Sequence, residues 1–284
     1  MALNLKTLLT RTTTAIVFVG VLLTAIFFNY ISFVTLFLVV SIWGLIEFYQ
    51  IAEKLGAKPY KWIGIISGLS LFMCAAIANS YYRHFVSPTA ILSVGIVLPF
   101  FVFIAALFDN TSNAITNLVF TLAGIIYTVL PFSLLIHIAC IDTSFAGFIA
   151  PYNFHYVLGI ICLIWISDVS AYLVGSLIGK HKLYERISPG KTWEGTIGAS
   201  IVTIACSFLI HHLFPELALK HWVVIAILVS VFGTIGDLIE SMFKRQAGIK
   251  DSGKIMPGHG GILDRFDSLL FVAPFVYAYL TLFK

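Results

Sequence analysis

The stretch His221–Arg245, HWVVIAILVSVFGTIGDLIESMFKR, changes character part-way along. It begins as an apolar run and ends with Asp237, Glu240, Ser241, Lys244 and Arg245. A helix needs about 20 apolar residues to cross the hydrocarbon core of a bilayer, so the stretch is long enough to span. Asp237, Glu240, Ser241 and Lys244 follow i, i+3, i+4, i+7, which stacks them on one helical face. A carboxylate at that depth costs on the order of several kcal/mol unless it is paired, hydrated or bound to a cation. An internal Asp237–Lys244 pair is the plain structural reading, and a bound cation is the functional one.

Working outward, the rest of the chain is of the same kind. It has 284 residues, 60% hydrophobic and only 11% charged, with a mean hydropathy of +1.00. Soluble domains carry about 25% charged residues, so this composition excludes an ordinary soluble fold. The expected fold class is all-α, a polytopic integral membrane protein of about nine transmembrane helices at 12–29, 31–51, 61–80, 89–108, 115–141, 155–179, 194–213, 221–243 and 262–283. Pro131 is expected to kink the fifth span. The first run follows Lys6 and Arg11 and is expected to be a membrane helix, not a cleaved leader, because a second apolar segment begins at Tyr30.

Charge placement agrees with this count. With the N-terminus in the cytoplasm, all but Arg83, Lys220 and Lys284 of the 17 lysines and arginines fall on the cytoplasmic side. Cys74, Cys140, Cys162 and Cys206 lie in apolar runs without metal-ligand spacing and read as small hydrophobes. The histidines form no ligand cluster, no zinc or serine-hydrolase pattern appears, and nothing points to a nucleic-acid partner. Ionisable groups concentrate late in the chain. Residues 1–150 read as apolar N-terminal helices and 151–284 as the chemically equipped part.

The last span opens with PGHGGILDRFDS, Pro257–Ser268. Its glycines allow a tight turn with exposed N–H groups at a helix start, a setting that favours anions. Asp264 and Asp267 share the first turn. The connection before it carries Lys244, Arg245, Lys250 and Lys254, which could neutralise phosphates, while Asp237 and Asp264 could hold a divalent cation. Acids for a metal and bases for phosphate are the two halves of a phosphoryl or nucleotidyl transfer site. Asp168, Tyr172, Gly175 and Gly179 make a second polar, small-residue stripe. Lys191, in the connection after it, could contact a lipid or nucleotide phosphate. Lys244 has two possible roles, partner of Asp237 or phosphate ligand.

The run Ser241–Ser268, SMFKRQAGIKDSGKIMPGHGGILDRFDS, resembles the signature of the phosphatidate cytidylyltransferase (CDP-diacylglycerol synthase) family. Ser241, Lys244, Arg245, Lys250, Asp251, Gly253, Met256, Pro257, His259, Gly260, Gly261, Asp264, Arg265 and Asp267 all match its pattern. SDVSAYLVGSLIGKHK (167–182) and ISPGKTWEG (187–195) also look familial, whereas spans one to five resemble the family only in hydropathy. The resemblance implies transfer of CMP from CTP to phosphatidate, giving CDP-diacylglycerol and pyrophosphate for phospholipid biosynthesis. It implies a Mg²⁺-dependent homodimeric enzyme of the bacterial inner membrane, its site facing the cytoplasm, with Asp237 and Asp264 as metal ligands. Lys244, Asp237, Asp264 and Asp267 would be catalytic. Ser241, Arg245, Lys250, Lys254, His259, Gly260, Gly261, Arg265, Lys191 and Asp168 would bind substrate. Two other classes have their own requirements. An ion-coupled transporter using Asp168 and Asp237 would call for an inverted repeat or paired broken helices, and an alcohol phosphotransferase for a D-G-x-x-A-R pattern. Neither feature is evident in the sequence.

Overall fold

The structure is a computed structural model and describes residues 5–80, 87–141, 152–253, 255–256, 258 and 260–284. The apolar runs form helices α1 (Leu5–Phe28), α2 (Tyr30–Lys54), α3 (Lys61–Ala78), α4 (Pro88–Val97), α5 (Phe100–Leu107), α6 (Ala114–Gly124), α7 (Leu130–Ala139), α8 (Phe154–Ile178), α9 (Trp193–Leu213), α10 (Leu219–Leu228), α11 (Thr234–Gln246) and α12 (Leu263–Phe283). Among the described residues, eight helical runs are long and apolar enough to cross a membrane, and Thr12–Phe28 adds a shorter one. The molecule is an integral membrane protein of the polytopic helical class. Its outward faces are apolar, as at Leu177, Ile201 and Phe208, which suits lipid contact.

Three spans are each built from two helices. Pro99 has no N–H to donate and separates α4 from α5. A π turn, Ile125–Val129, joins α6 to α7 just ahead of Pro131, so the expected kink takes the form of a wide turn. A second π turn, Val229–Gly233, joins α10 to α11 and was not foreseen. The Ser268 hydroxyl of α12 donates to the Gly233 carbonyl of this turn at 3.2 Å. The helix beyond it turns the face bearing Asp237 toward the site.

One short hairpin departs from the all-helical expectation. Strands β1 (Lys182–Tyr184) and β2 (Ser188–Thr192) pair antiparallel, with Lys182 opposite Thr192. Thr192 then caps α9, accepting from the Gly195 N–H at 3.2 Å. Glu194 closes the base of the hairpin by accepting from the Lys180 N–H at 3.1 Å and meeting His181 Nδ1 at 2.5 Å. The stripe on α8 works as expected. A Cβ at Gly195 would stand 3.0 Å from the Gly175 Cα, so the two helices meet where neither has a side chain.

The connections that alternation puts on one side do meet. The Lys58 N–H donates to Asn117 Oδ1 at 2.7 Å, the Tyr60 N–H to Thr121 Oγ1 at 2.8 Å, and the Tyr60 hydroxyl to Asp109 Oδ2 at 2.6 Å. The Tyr60 bond, with further bonds from Thr111 and Asn117, holds the Asp109 carboxyl well below the usual carboxylate range. That contact is therefore fully present above pH ~4 and is lost only as pH falls through the depressed value. Arg245 Nε donates to the Ile187 carbonyl at 3.4 Å, linking the hairpin to the end of α11.

The core runs between the two halves of the chain. Phe266 of α12 packs against Phe18 of α1, Phe37 of α2 and Phe132 of α7, with centroids 5.7, 6.2 and 5.5 Å apart. This cluster anchors the first turn of α12, where Asp264 and Asp267 stand.

Candidate active site

The polar face of α11 forms as its spacing dictates. The Ser241 hydroxyl donates to Asp237 Oδ1 at 3.2 Å, and Lys244 Nζ to Glu240 Oε2 at 2.8 Å, one helical turn apart in each case. Lys244 Nζ also donates to Asp264 Oδ1 of α12 at 2.6 Å. Neither acid is open to water: their side chains are 1% and 7% exposed. Lys244 therefore spans two buried carboxylates and ties α11 to α12. Its ionic partners are Glu240 and Asp264, and not the Asp237 that the sequence offered.

Asp264 is fully engaged on its other oxygen as well. Oδ2 accepts from the Ser252 N–H at 2.8 Å, the Ser252 hydroxyl at 2.9 Å and the Gly261 N–H at 2.7 Å. The expected metal pair was Asp237 with Asp264. The structure gives Asp237 other companions: one ligand oxygen each from Asp237, Glu240 and Asp267 lie within 4.8 Å of one another. Asp264, held by Lys244 and the loop, is not one of that trio. Glu240 Oε1 is buried without a hydrogen-bond partner. An orphaned carboxylate oxygen beside two further carboxylates is the donor set that a hard divalent cation prefers, so these residues fit Mg²⁺.

The other expected residues fall into four groups. Lys191 of β2 reaches Asp237 Oδ2 at 2.5 Å and is an ion-pair partner in this state. Asp168 and Arg265 line the same cavity as Lys191, Asp237, Asp264 and Asp267. Arg245, in the last turn of α11, and Lys250, on the connection after it, are exposed and do not line the cavity. Gly260 and Gly261 form the turn into α12, with the Met256 N–H donating to the Gly260 carbonyl at 3.1 Å. Lys254 and His259 lie outside the described residues.

The cavity is amphipathic and encloses about 640 Å³. Its charged end holds Asp168, Lys191, Asp237, Asp264, Arg265 and Asp267. Its apolar wall comes from Phe18, Val19 and Leu22 of α1 with Ile161, Ile164 and Trp165 of α8. Sequence reading missed this wall because α1 shows no motif. It also missed Glu47, which α2 buries against the turn into α12. The available signal was a lone carboxylate in the apolar run SIWGLIEFYQ, Ser41–Gln50.

The model of the Cytidylyltransferase family matches residues 9–283, which takes in spans one to five as well as the signature. A phosphatidate cytidylyltransferase of Staphylococcus saprophyticus is 49% identical over 122 residues, 42% of this chain and 46% of that protein. One of Staphylococcus haemolyticus is 45% identical over 144 residues, covering 49% and 55%. One of Staphylococcus aureus (strain COL) is 47% identical over 122 residues, covering 42% and 46%. The chain spans about half the length of the curated relatives it matches.

Proposed function

This chain belongs to the cytidylyltransferase family, and from that premise we propose that it transfers CMP from CTP to phosphatidate, releasing pyrophosphate and leaving CDP-diacylglycerol in the membrane. The observation that carries the proposal is the cavity itself, which joins Asp168, Asp237, Asp264 and Asp267 with Lys191 and Arg265 to an apolar wall from α1 and α8. Such a cavity suits one substrate from water and one from the leaflet. The lipid phosphate is already anionic, so its oxygen can attack the α-phosphorus without a general base. A P–O bond forms, the bond to the β-phosphate breaks, and pyrophosphate departs with the electron pair. What opposes the reaction is repulsion between two polyanions.

Asp237, Glu240 and Asp267 would hold Mg²⁺, which supplies charge neutralisation at the phosphates. Lys191, paired to Asp237, stands at the mouth of this trio and is placed to exchange its carboxylate for a phosphate oxygen. Arg265, exposed on the first turn of α12, offers a planar fork to a phosphate. Lys244 keeps Glu240 and Asp264 from repelling one another and adds positive charge beneath the reacting centre. The protein would act as a homodimer, as the resemblance implies.

The test is pyrophosphate release by the purified protein in mixed micelles. Release should require both phosphatidate and CTP and should fall at least tenfold with ATP, GTP or UTP. Equal rates without phosphatidate would sink the proposal.

We also propose that the site faces the cytoplasm of a bacterial inner membrane. The support is the side that collects nearly all the lysines and arginines. A reporter fused after Lys284 should then register a non-cytoplasmic location. A cytoplasmic signal would overturn the nine-span orientation.

A further inference from the structure

Glu47 belongs to α2, far in sequence from the signature, yet both of its carboxylate oxygens are taken by signature groups. Oε1 accepts from the Ile262 N–H at 3.0 Å, and Oε2 from the Leu263 N–H and the Ser252 hydroxyl, each at 3.0 Å. Those two amides begin α12, which has no capping side chain of its own. Glu47 thus caps this helix from another helix, at its positive end, with a full negative charge. Its side chain is buried, 2% exposed.

Space has been cleared for it. A Cβ on Gly253 or Gly261 would collide with the Glu47 carboxylate. Neither glycine has a positive φ, so backbone conformation does not demand glycine at either place, whereas the acid does.

Ser252 carries the effect onward. Its hydroxyl lies 3.0 Å from Glu47 Oε2 and 2.9 Å from Asp264 Oδ2. Asp264 in turn binds Lys244, and Lys244 binds Glu240 of the carboxylate trio. A continuous polar line therefore runs from the N-terminal half of the protein to the reacting centre.

We propose that Glu47 is a positioning residue for CMP transfer. It fixes the Ser252–Gly261 turn and the start of α12, and through Ser252 it holds Asp264 and Lys244 in register with the substrate phosphates. The inference rests on reading the cavity as a cytidylyltransferase centre.

Glu47→Gln in the full chain is the direct test. The amide keeps the size, but its NH₂ must face one of the two helix N–H groups. The kcat should fall about tenfold to a hundredfold, with KM for CTP within about threefold of the parent, as expected when one or two charge-assisted hydrogen bonds at a positioned group are lost. Glu53→Gln, in the same helix but paired with Lys61, should leave both parameters at parental values. A purely structural Glu47 would lower the melting temperature and leave kcat per folded molecule unchanged, and that result overturns the proposal. If Glu47→Gln does not fold, Ser252→Ala removes only the shared hydroxyl. It should show the same fall in kcat, and a parental kcat would overturn the proposal.

Hydrogen exchange separates this inference from the assigned reaction. In Glu47→Gln the amides of Gly261, Ile262 and Leu263 should exchange at least tenfold faster while α8 and α9 stay protected. Unchanged exchange there rejects the positioning role whatever reaction the parent catalyses. Faster exchange in Glu47→Gln, alongside a parent protein that releases no pyrophosphate, would reject the reaction and leave the contact standing.

Discussion

Lys244→Met should destabilise the metal-free protein by about 3–5 kcal/mol and lower turnover by about 10²- to 10³-fold. The substitution strands two carboxylates, Glu240 and Asp264, that are almost wholly buried. Removing one member of a buried ionic group leaves uncompensated charge, which is the costly half of the exchange. Adding Glu240→Gln to Lys244→Met should restore part of the stability, since a neutral amide needs no counter-charge. It should not restore turnover, because the phosphates still lack the lysine and the trio has lost a ligand. Denaturant unfolding in detergent with EDTA, beside pyrophosphate release, measures both. A Lys244→Met protein as stable as its parent would mean that Lys244 does not bridge α11 and α12.

Asp237→Asn and Asp267→Asn should each fold normally, bind Mn²⁺ weakly and lose about 10²- to 10³-fold in kcat, since each removes a charged oxygen from the trio. Asp264→Asn should behave differently. It should lose about 1.5–3 kcal/mol of stability, because Asp264 holds Lys244, Ser252 and Gly261 by charge-assisted bonds. It should still bind Mn²⁺. Electron paramagnetic resonance of bound Mn²⁺ distinguishes the cases. If Asp264→Asn abolishes binding while Asp267→Asn keeps it, the cation sits between Asp237 and Asp264 as the sequence suggested, and the trio is incidental.

The contrast shows how far sequence carries. Spacing alone placed Asp237, Glu240, Ser241 and Lys244 on one face, because helical periodicity is a local property. The spans were legible for the same reason. Partner choice was not local. Lys244 could have met Asp237, seven residues away on its own helix, but α12 brings Asp264 to 2.6 Å and Glu240 lies a single turn back. The π turn Val229–Gly233 also escaped notice, since nothing in VSVFG distinguishes it from ordinary helix. Glu47 was visible as a charge in an apolar run, but its target, the start of α12, is more than two hundred residues away in sequence. Local patterns do not encode such a pairing.

The reaction assigned to this cavity has a characteristic fate for each phosphorus of CTP. Attack by a lipid phosphate on the α-phosphorus puts that atom in the membrane and expels the other two together. CTP labelled at the α-phosphorus and, separately, at the γ-phosphorus should be supplied to the purified protein with phosphatidate and Mg²⁺. The account predicts that the α label appears in chloroform-soluble CDP-diacylglycerol and the γ label in pyrophosphate, in equal amounts. Label from the γ-phosphorus in lipid, or α label released as free CMP, would contradict it.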